Sequence, residues 1–486
     1  MGHDWIFELV RLAEFRHAAE SGQLPPFWAP DLYGGFGSPI FLFYPPLYLT
    51  VASVLGGWAS VVAGAAAALL LFSLLGAVLT WHFLRRVANT SAARLGVIFL
   101  TLQPYFLADK LIRNANAEFA ALAIVPGLLL GVTITNRKAA FWWTALSLAG
   151  IILAHNLTAM LVLPFALVIG ILVHRNFSAL LPIVAGIMAA LALTAFFWIP
   201  ALHFLPLVRS ADLVTGKFDF HAQFPALRSF VWPGEFYSSG CLTLPFLLAL
   251  LFAPVRDARL RRIVRVFGLA SGLLLLLMLP ASGFVWEHVP FLRFAQFPWR
   301  LNGPLAVLLS CGAAIAISQL SSSVKWWSVD LLCLALAAAN AIPVFHAYQP
   351  LPPELRSEAA EFLTPAGIQE RRLRATVYDE YLPAIAGPAV IHADSHTKVF
   401  RKWAFPVWRG ETEGHEVPAE NCSGLVCVQT ARAGAPASLV LTKPSLRQYC
   451  ETASVFSGLL LLGLVALQTA RRQRSRPRLV SRYRSS

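Results

Sequence analysis

Charged residues are scarce in this chain, and acidic ones are scarcer than basic ones. Of its 486 residues, 13% are charged and 57% are hydrophobic, with 25 acidic against 39 basic residues. Soluble globular proteins carry about a quarter charged residues, so the composition excludes an ordinary soluble protein and predicts a polytopic membrane protein. The net charge of +14 does not indicate nucleic-acid binding. Most basic residues lie in short loops between apolar runs, where they set membrane orientation.

Cysteine is also scarce, with six residues in the chain. Three lie in or beside apolar runs, as small buried hydrophobic residues do: Cys241, Cys311 and Cys333. The others lie in the one large polar region. If that region is extracytoplasmic, Cys422 and Cys427 can form a disulfide, which leaves Cys450 over. No second close pair of cysteines or histidines completes a zinc ligand set there.

Eleven apolar segments approach the roughly 20 residues that cross a bilayer. They are 60–84, 92–108, 117–135, 139–154, 157–173, 177–200, 240–254, 263–280, 298–318, 325–345 and 453–470. The loops between them alternate in basic charge, and the positive-inside rule places the N-terminus outside and the C-terminus in the cytoplasm. Since an outside N-terminus needs a helix to translocate it, we expect one further apolar helix upstream. The run from Ile40 to Leu55 contains Tyr44-Pro45-Pro46 and is predicted to be a juxtamembrane helix instead.

These assignments predict a mainly α, multi-pass protein of the plasma or inner membrane, divided into five parts. They are an extracytoplasmic loop with amphipathic helices (1–58), a multi-span domain (59–345), an extracytoplasmic β-rich domain (346–452), a C-terminal transmembrane helix (453–470) and a basic cytoplasmic tail (471–486). Alternating strand-like runs separated by glycine turns indicate a small β-sandwich-like fold in the fourth quarter of the chain.

Most candidate functional residues lie in the predicted outer loops. Asp4, preceded by His3, begins an amphipathic stretch that places Asp4, Glu8 and Arg11 on one helical face. The alternative for Asp4 is an exposed helix cap that accepts backbone N–H bonds. No secretory signal precedes Asp4, because the first long apolar run starts only after Ser38.

A second group spans Asp109 to Glu118. Charges at a membrane interface are ordinary, so Asp109 needs no function, whereas Glu118 opens an apolar span and is expected to face the bundle or a wet cavity. Arg113 carries a planar, permanently charged guanidinium suited to a phosphate.

Three further sites are predicted, each with an ordinary structural alternative. His155-Asn156 is a candidate polar pair or a helix cap. Arg293 and Arg300 flank an aromatic cluster and are either interfacial anchors or a cradle for an anionic lipid headgroup. Glu380 is a candidate contact to the membrane domain, or a structural docking residue.

Several motifs, in this order, resemble one bacterial membrane family named after 6-pyruvoyl-tetrahydropterin synthase. They are Gly2-His3-Asp4, Gly34-Gly35-Phe36-Gly37, Phe43-Tyr44-Pro45-Pro46-Leu47, His155-Asn156-Leu157-Thr158, Phe297-Pro298-Trp299-Arg300 and Glu380-Tyr381-Leu382-Pro383. The resemblance covers nearly the whole chain, and nothing in it is similar to the soluble pterin enzyme with its zinc site. The family in turn is similar to the GT-C superfamily of polytopic glycosyltransferases. The apolar helix that precedes the Asp4 loop in the family does not stand before Asp4 in this chain.

The resemblance implies a glycosyltransferase that uses a polyprenyl-phosphate-linked sugar on the extracytoplasmic side, among membrane lipids. It implies a catalytic role for Asp4 as base or acceptor-orienting residue, and for Glu118 as the second acid, with Asp109 as runner-up. Arg113, Arg293 and Arg300 are candidate phosphate ligands by their chemistry. No cofactor is assigned, and a divalent metal is left open, as is the oligomeric state.

Two other functions stay open. A flippase or transporter of a lipid-linked intermediate needs polar residues near the bilayer midplane, but the span interiors are almost purely apolar. A non-catalytic membrane assembly protein with the same fold is the other alternative.

Overall fold

The computed structural model describes residues 4–57, 59–230, 238–289, 292–319, 326–350, 361–376, 379–386 and 395–474. Its helices, numbered in chain order, are α1 (Trp5–Glu20), α2 (Leu32–Gly35), α3 (Pro46–Gly56), α4 (Val61–Val87), α5 (Thr90–Thr101), α6 (Pro104–Ala108), α7 (Asn116–Thr133), α8 (Arg137–Ala154), α9 (Asn156–His174), α10 (Phe177–Leu193), α11 (Ala195–Phe204), α12 (Thr243–Phe252), α13 (Ala258–Leu277), α14 (Gly283–His288), α15 (Asn302–Ile317), α16 (Trp326–Ala347), α17 (Pro365–Glu370) and α18 (Ser445–Arg474). The strands are β1 (Thr397–Trp403), β2 (Trp408–Thr412), β3 (His415–Cys422), β4 (Leu425–Gln429) and β5 (Ala437–Leu441). The predicted fold class, a mainly α polytopic protein with a small β-rich part, is confirmed.

Within the described residues, six helices are long and apolar enough to cross a membrane, or nine if each bent helix pair is one span. The bends are 47° between α5 and the Pro104–Arg113 segment, 67° after α10, and 88° after α13. Proline explains two of them, because Pro104 and Pro280 supply no backbone N–H to continue a helix. The count of eleven spans stays a prediction.

The centre of the bundle is formed by α7 and α15. The apolar window of α7 is entirely buried and that of α15 is 89% buried, whereas α18 is 11% buried and exposes its leucines. An inner helix touches protein on all sides, so a polar residue at its end faces other protein groups or an internal cavity rather than lipid. Glu118, in the first turn of α7, is in this position.

The residues that precede α4 include three short helices, α1, α2 and α3. α3 begins with Pro46 at its first helical position, where a missing N–H leaves no bond unmade. Gly37 has a φ of +81°, and a Cβ there would lie 2.4 Å from Nε1 of Trp28, so only glycine fits. This gives a physical reason for one glycine of the Gly34-Gly35-Phe36-Gly37 motif.

The strands form one curved antiparallel sheet in the order β1-β4-β3-β2-β5. The first half of β3 pairs with β2 and its second half pairs with β4, which bends the sheet into a half-barrel. The expected β-sandwich was therefore wrong, because short hairpin-linked strands stay hydrogen-bonded in one sheet rather than forming two packed layers. A disulfide joins Cys422 and Cys427 across the β3–β4 hairpin, with their Cα atoms 5.8 Å apart, and Cys450 is free.

Candidate functional site

A cavity of about 730 Å³ opens where α7, α9 and α15 begin and α11 ends, beneath α1 and the segment around Glu380. All these segments belong to the predicted outer side of the bundle. Seven of the residues singled out from the sequence line it: Asp4, Arg113, Glu118, His155, Asn156, Arg300 and Glu380. Asp109 and Arg293 are not part of the lining, and His3 lies outside the described residues.

Asp4 lies at the N-terminus of α1, but its carboxylate does not cap the helix. Its backbone carbonyl accepts the Glu8 N–H at 3.0 Å, and its own backbone N–H donates to the carbonyl oxygen of Arg113 at 3.0 Å. Within the described part of the chain, no hydrogen bond or ion pair engages the carboxylate. The alternative that Asp4 accepts backbone capping bonds is therefore wrong, and the carboxylate is available to a molecule in the cavity.

One turn along α1, Glu8 and Arg11 form a buried ion pair. The Tyr44 hydroxyl donates to Glu8 at 3.2 Å, and the Arg11 guanidinium lies 4.2 Å from the centre of the Tyr44 ring. Burial raises the pKa of Glu8 and the nearby Asp4 charge raises it further, while Arg11 opposes both. Arg11 also donates to the Ala375 carbonyl, which ties α1 to the segment beyond α17.

At the start of α7, Glu118 accepts two hydrogen bonds and forms an ion pair with a second arginine. The Tyr105 hydroxyl donates to it at 2.7 Å and Arg113 at 3.1 Å, and Arg300 Nε lies 3.8 Å away. Its location in the first helical turn is favourable for a negative charge, because the helix N-terminus is the positive end of the macrodipole. The structure thus leaves Glu118 less available to substrate than Asp4.

Arg113 lies at the end of a single turn of π-helix, residues 109–113, which we call the π-turn. The turn ends at Asn114, which has the left-handed conformation. It donates to the buried Asp109 carboxylate and, at 3.1 Å, to the Tyr105 hydroxyl, and its guanidinium lies 4.6 Å from the Trp299 ring centre. Asp109, the runner-up for the second acid, thus contacts Arg113 rather than the cavity. Most donors of Arg113 are already used by the protein.

Arg300 and Arg293 were expected to form one cradle, and the structure does not bring them together. Arg300 lines the cavity, whereas Arg293 is exposed outside it. The reason is the backbone between them, where Gln296 adopts a φ of +65° and turns the chain. One Arg300 nitrogen donates to Ala295 and Gln296, each at 2.9 Å. Its buried Nε has no hydrogen-bond partner among the described residues.

His155 caps the N-terminus of α9, which is the structural alternative predicted for it. Its Nδ1 accepts the Thr158 backbone N–H at 3.3 Å and lies 2.8 Å from the Thr158 hydroxyl. An accepting Nδ1 places the proton on Nε2. Burial lowers the pKa of His155 to about 4, and the cations of Arg300 and Arg113 add to the shift while Glu118 opposes it. The imidazole is therefore neutral at pH 7 and lines the cavity as a neutral donor.

The rest of the lining is mostly apolar and aromatic. It includes Phe43, Met160, Leu202, Leu205, Phe294 and Phe297. A cavity with an apolar wall and a few converging polar groups is the usual form of a binding site for an amphipathic molecule. The charged groups and the apolar wall together fit a lipid that carries a polar headgroup.

Sequence reasoning did not assign site roles to Glu8, Arg11, Tyr44, Tyr105 or Tyr381. The spacing of Asp4, Glu8 and Arg11 on one helical face was the available signal for the first two. Tyr44 and Tyr381 lie in quoted motifs, and their rings stack on or contact neighbours in the cavity wall. Nothing in the local sequence distinguishes Tyr105, which reaches Glu118 only through the bend before the π-turn.

No protein-family model matches the chain, and no curated protein matches it. Its fold is similar to that of ArnT from Cupriavidus metallidurans bound to undecaprenyl phosphate, with 18% identity and a TM-score of 0.41 over 74% of this chain and 65% of ArnT. It is also similar to the archaeal oligosaccharyltransferase AglB from Archaeoglobus fulgidus in complex with an inhibitory peptide and a dolichol-phosphate, with 14% identity and a TM-score of 0.43 over 77% of this chain and 56% of AglB. The chain thus spans less than two thirds of the length of either. At these identities, no residue role transfers to this chain.

Proposed function

We propose that this chain is a membrane-embedded, GT-C-like glycosyltransferase that moves a sugar from a polyprenyl-phosphate donor to an acceptor on the extracytoplasmic side. The observation that carries the proposal is the unengaged Asp4 carboxylate in a largely apolar cavity that also contains Arg300. The quoted motifs, with their resemblance to the family named after 6-pyruvoyl-tetrahydropterin synthase, support the same reading.

Asp4 is the proposed general base. The acceptor's hydroxyl or amine attacks the anomeric carbon, the bond from that carbon to the phosphate oxygen breaks, and Asp4 takes the acceptor proton. Asp4 suits this role better than Glu118, because Glu118 already accepts hydrogen bonds from Tyr105 and Arg113 and lies 3.8 Å from Arg300 Nε. In this proposal Glu118 positions Arg113 and Arg300 rather than reacting itself.

Arg300 is the proposed phosphate ligand. Negative charge grows on the lipid phosphate as the sugar leaves, and a nearby guanidinium stabilises that charge most in a site with little water. Arg300 has a buried Nε–H without a hydrogen-bond partner among the described residues, whereas Arg113 already donates to Asp109, Tyr105 and Glu118. The neutral imidazole of His155 is available as a hydrogen-bond donor to the sugar or phosphate.

The extracytoplasmic location of the cavity is supported by two independent features. The cavity is lined by segments at the ends opposite the basic loops, which the positive-inside rule places outside. The Cys422–Cys427 disulfide belongs to the half-barrel on that same side, and disulfides persist in oxidising compartments.

The test uses the full chain purified into lipid nanodiscs, with a panel of undecaprenyl-phosphate-linked [14C]monosaccharides and an envelope extract as acceptor. Transfer of label is expected with at least one donor, together with release of undecaprenyl phosphate. Asp4→Asn should lower the rate by about 10²–10⁴-fold, the range for removing a general base. The matched control is Glu20→Gln, an exposed acid at the far end of the same helix. Full activity in Asp4→Asn would reject the role of Asp4.

The same purified protein distinguishes the flippase alternative from the enzyme. Movement of a fluorescent polyprenyl-linked sugar across a vesicle bilayer, without release of polyprenyl phosphate, would replace the enzyme proposal with transport.

A further inference from the structure

The second half of α1 carries a cluster that the cavity does not use. Glu14, His17 and Asp31 each offer one ligand atom, and these atoms all lie within 4.8 Å of one another. None of the three lines the cavity. Glu14 and His17 are three residues apart on one helical face, and Asp31 precedes α2.

The carboxylates of this cluster are buried, and one of their oxygens is unused. Glu14 is 0% exposed and Asp31 is 4% exposed. One Glu14 oxygen accepts the Asp31 backbone N–H at 3.1 Å, while the other, Oε1, is buried without a hydrogen-bond partner among the described residues. A buried carboxylate oxygen without a partner is unfavourable, so it needs a proton or a cation.

The basic side chains near the cluster do not supply a hydrogen bond to Glu14 Oε1. Nδ1 of His17 lies 2.6 Å from an Asp31 oxygen, and the other Asp31 oxygen accepts from the Gln369 amide. Lys402 donates to the carbonyl oxygens of Pro30 and Gly35, at 3.1 and 2.6 Å. Glu14 Oε1 receives none of these hydrogen bonds.

We propose that Glu14, His17 and Asp31 bind a divalent transition-metal ion, with Zn²⁺ as the best match. An imidazole nitrogen with two carboxylates is a ligand set that suits Zn²⁺ and related ions and disfavours Mg²⁺, which prefers oxygen ligands. Zinc takes such ligands at about 2.0–2.2 Å, so binding would draw together the three ligand atoms, which lie within 4.8 Å of one another. Three protein ligands leave a position for water.

The ion has a structural role. It joins α1 to the loop at Asp31, and that loop is in turn contacted by Gln369 of α17 and Lys402 of β1. The bound ion therefore fixes α1, which carries Asp4 and Glu8 into the cavity, against the half-barrel.

The test measures metal binding and thermal stability of the full chain, so its outcome is independent of the sugar-transfer proposal. Purified protein is stripped with EDTA, titrated with ZnCl2 or MgCl2, desalted and analysed for bound metal. About one Zn²⁺ per chain is expected in the wild type, with a rise in Tm of about 2–5 °C at a Zn²⁺ concentration near 100 times Kd. Mg²⁺ should produce neither effect.

His17→Ala and Glu14→Gln should each weaken Zn²⁺ binding at least about tenfold and abolish the rise in Tm. The matched control is His221→Ala, which removes an exposed histidine that also lies beside two carboxylates, Asp219 at 2.7 Å and Glu287 at 3.1 Å. Its Zn²⁺ uptake should equal that of the wild type.

Equal Zn²⁺ uptake in His17→Ala and the wild type would overturn the proposal. So would a wild-type protein that neither binds Zn²⁺ nor gains stability from it, in which case Glu14 carries a proton instead. This second outcome needs no variant, so the proposal remains testable if a variant fails to fold.

Discussion

The backbone N–H of Asp4 donates to the carbonyl oxygen of Arg113 over 3.0 Å. This bond joins the start of α1 to the end of the π-turn, although the two residues lie far apart in the sequence. It places the unengaged Asp4 carboxylate beside the group that contains Arg113, Glu118 and Arg300. One main-chain contact thus fixes the proposed base against the turn that carries Arg113.

The first prediction concerns Asn114, which has a φ of +58° and ends the π-turn. A residue other than glycine, asparagine or aspartate is strained in this conformation. Asn114→Ala should lower stability by about 1 kcal/mol and reduce activity, because the Arg113 carbonyl shifts away from Asp4. Asn114→Gly, which tolerates the same φ, should retain wild-type stability and activity. Thermal unfolding and label transfer measure the two effects, and equal behaviour of the two variants would contradict this account of the turn.

The second prediction separates Arg300 from Arg293. Arg300→Ala should raise the KM for the polyprenyl-phosphate donor and lower kcat by about 10²-fold or more, because the leaving phosphate loses a guanidinium. Arg300→Lys should restore part of the activity, since the charge returns without the fork geometry. Arg293→Ala is the control, because Arg293 is exposed outside the cavity. A larger defect in Arg293→Ala than in Arg300→Ala would reverse the assignment.

The third prediction concerns Asp109, which is 0% exposed and paired with Arg113. Removing one partner of a buried ion pair leaves the other charge uncompensated and typically destabilises a protein by about 3–5 kcal/mol. Asp109→Ala should fall near the lower end of that range, because Glu118 still contacts Arg113. Glu416→Ala, which breaks the exposed Arg409–Glu416 pair on the half-barrel, should change stability by less than about 1 kcal/mol. Thermal or denaturant unfolding compares the two variants.

The fourth prediction is a pH dependence that arises from His155. Its pKa is lowered from 6.5 to about 4 in the folded protein, so between these values the unfolded chain binds a proton that the native state does not. Native stability should therefore fall as pH drops from 6.5 toward 4, and this contribution should be constant above 6.5. His155→Asn preserves a good helix cap without a titrating ring, so its Tm should fall less steeply over that range. Parallel Tm profiles for the two proteins would contradict the lowered pKa.

Much of the architecture follows from the sequence alone. Apolar runs of membrane length and asymmetric arginines identify the class of protein and its helices, because the bilayer excludes charge along the whole of a span. The same reasoning locates polar residues at the helix ends, which is why Asp4, Glu118, His155 and Arg300 were all singled out. It also predicted a helix within the run from Ile40 to Leu55, and the structure makes Pro46–Gly56 helical as α3.

Local sequence did not reveal which of these residues face one another. Arg293 and Arg300 look equivalent in the sequence, and a single positive φ at Gln296 turns one away from the cavity. Asp109 and Glu118 differ in the sequence only by position, and only the structure shows that the π-turn points Asp109 to Arg113. The single curved sheet likewise depends on β3 pairing with two neighbours along its length.

The Glu14, His17 and Asp31 cluster shows the same division between sequence and structure. Glu14 and His17 are recognisable as neighbours on one helical face, but Asp31 reaches them only because the chain folds back against α1. Hydropathy and charge act locally and are readable along the chain, so they determine the membrane helices and their polar ends. Contacts between distant segments depend on close packing of the whole molecule, and that packing decides that the Asp4 carboxylate opens into the same cavity as Arg300.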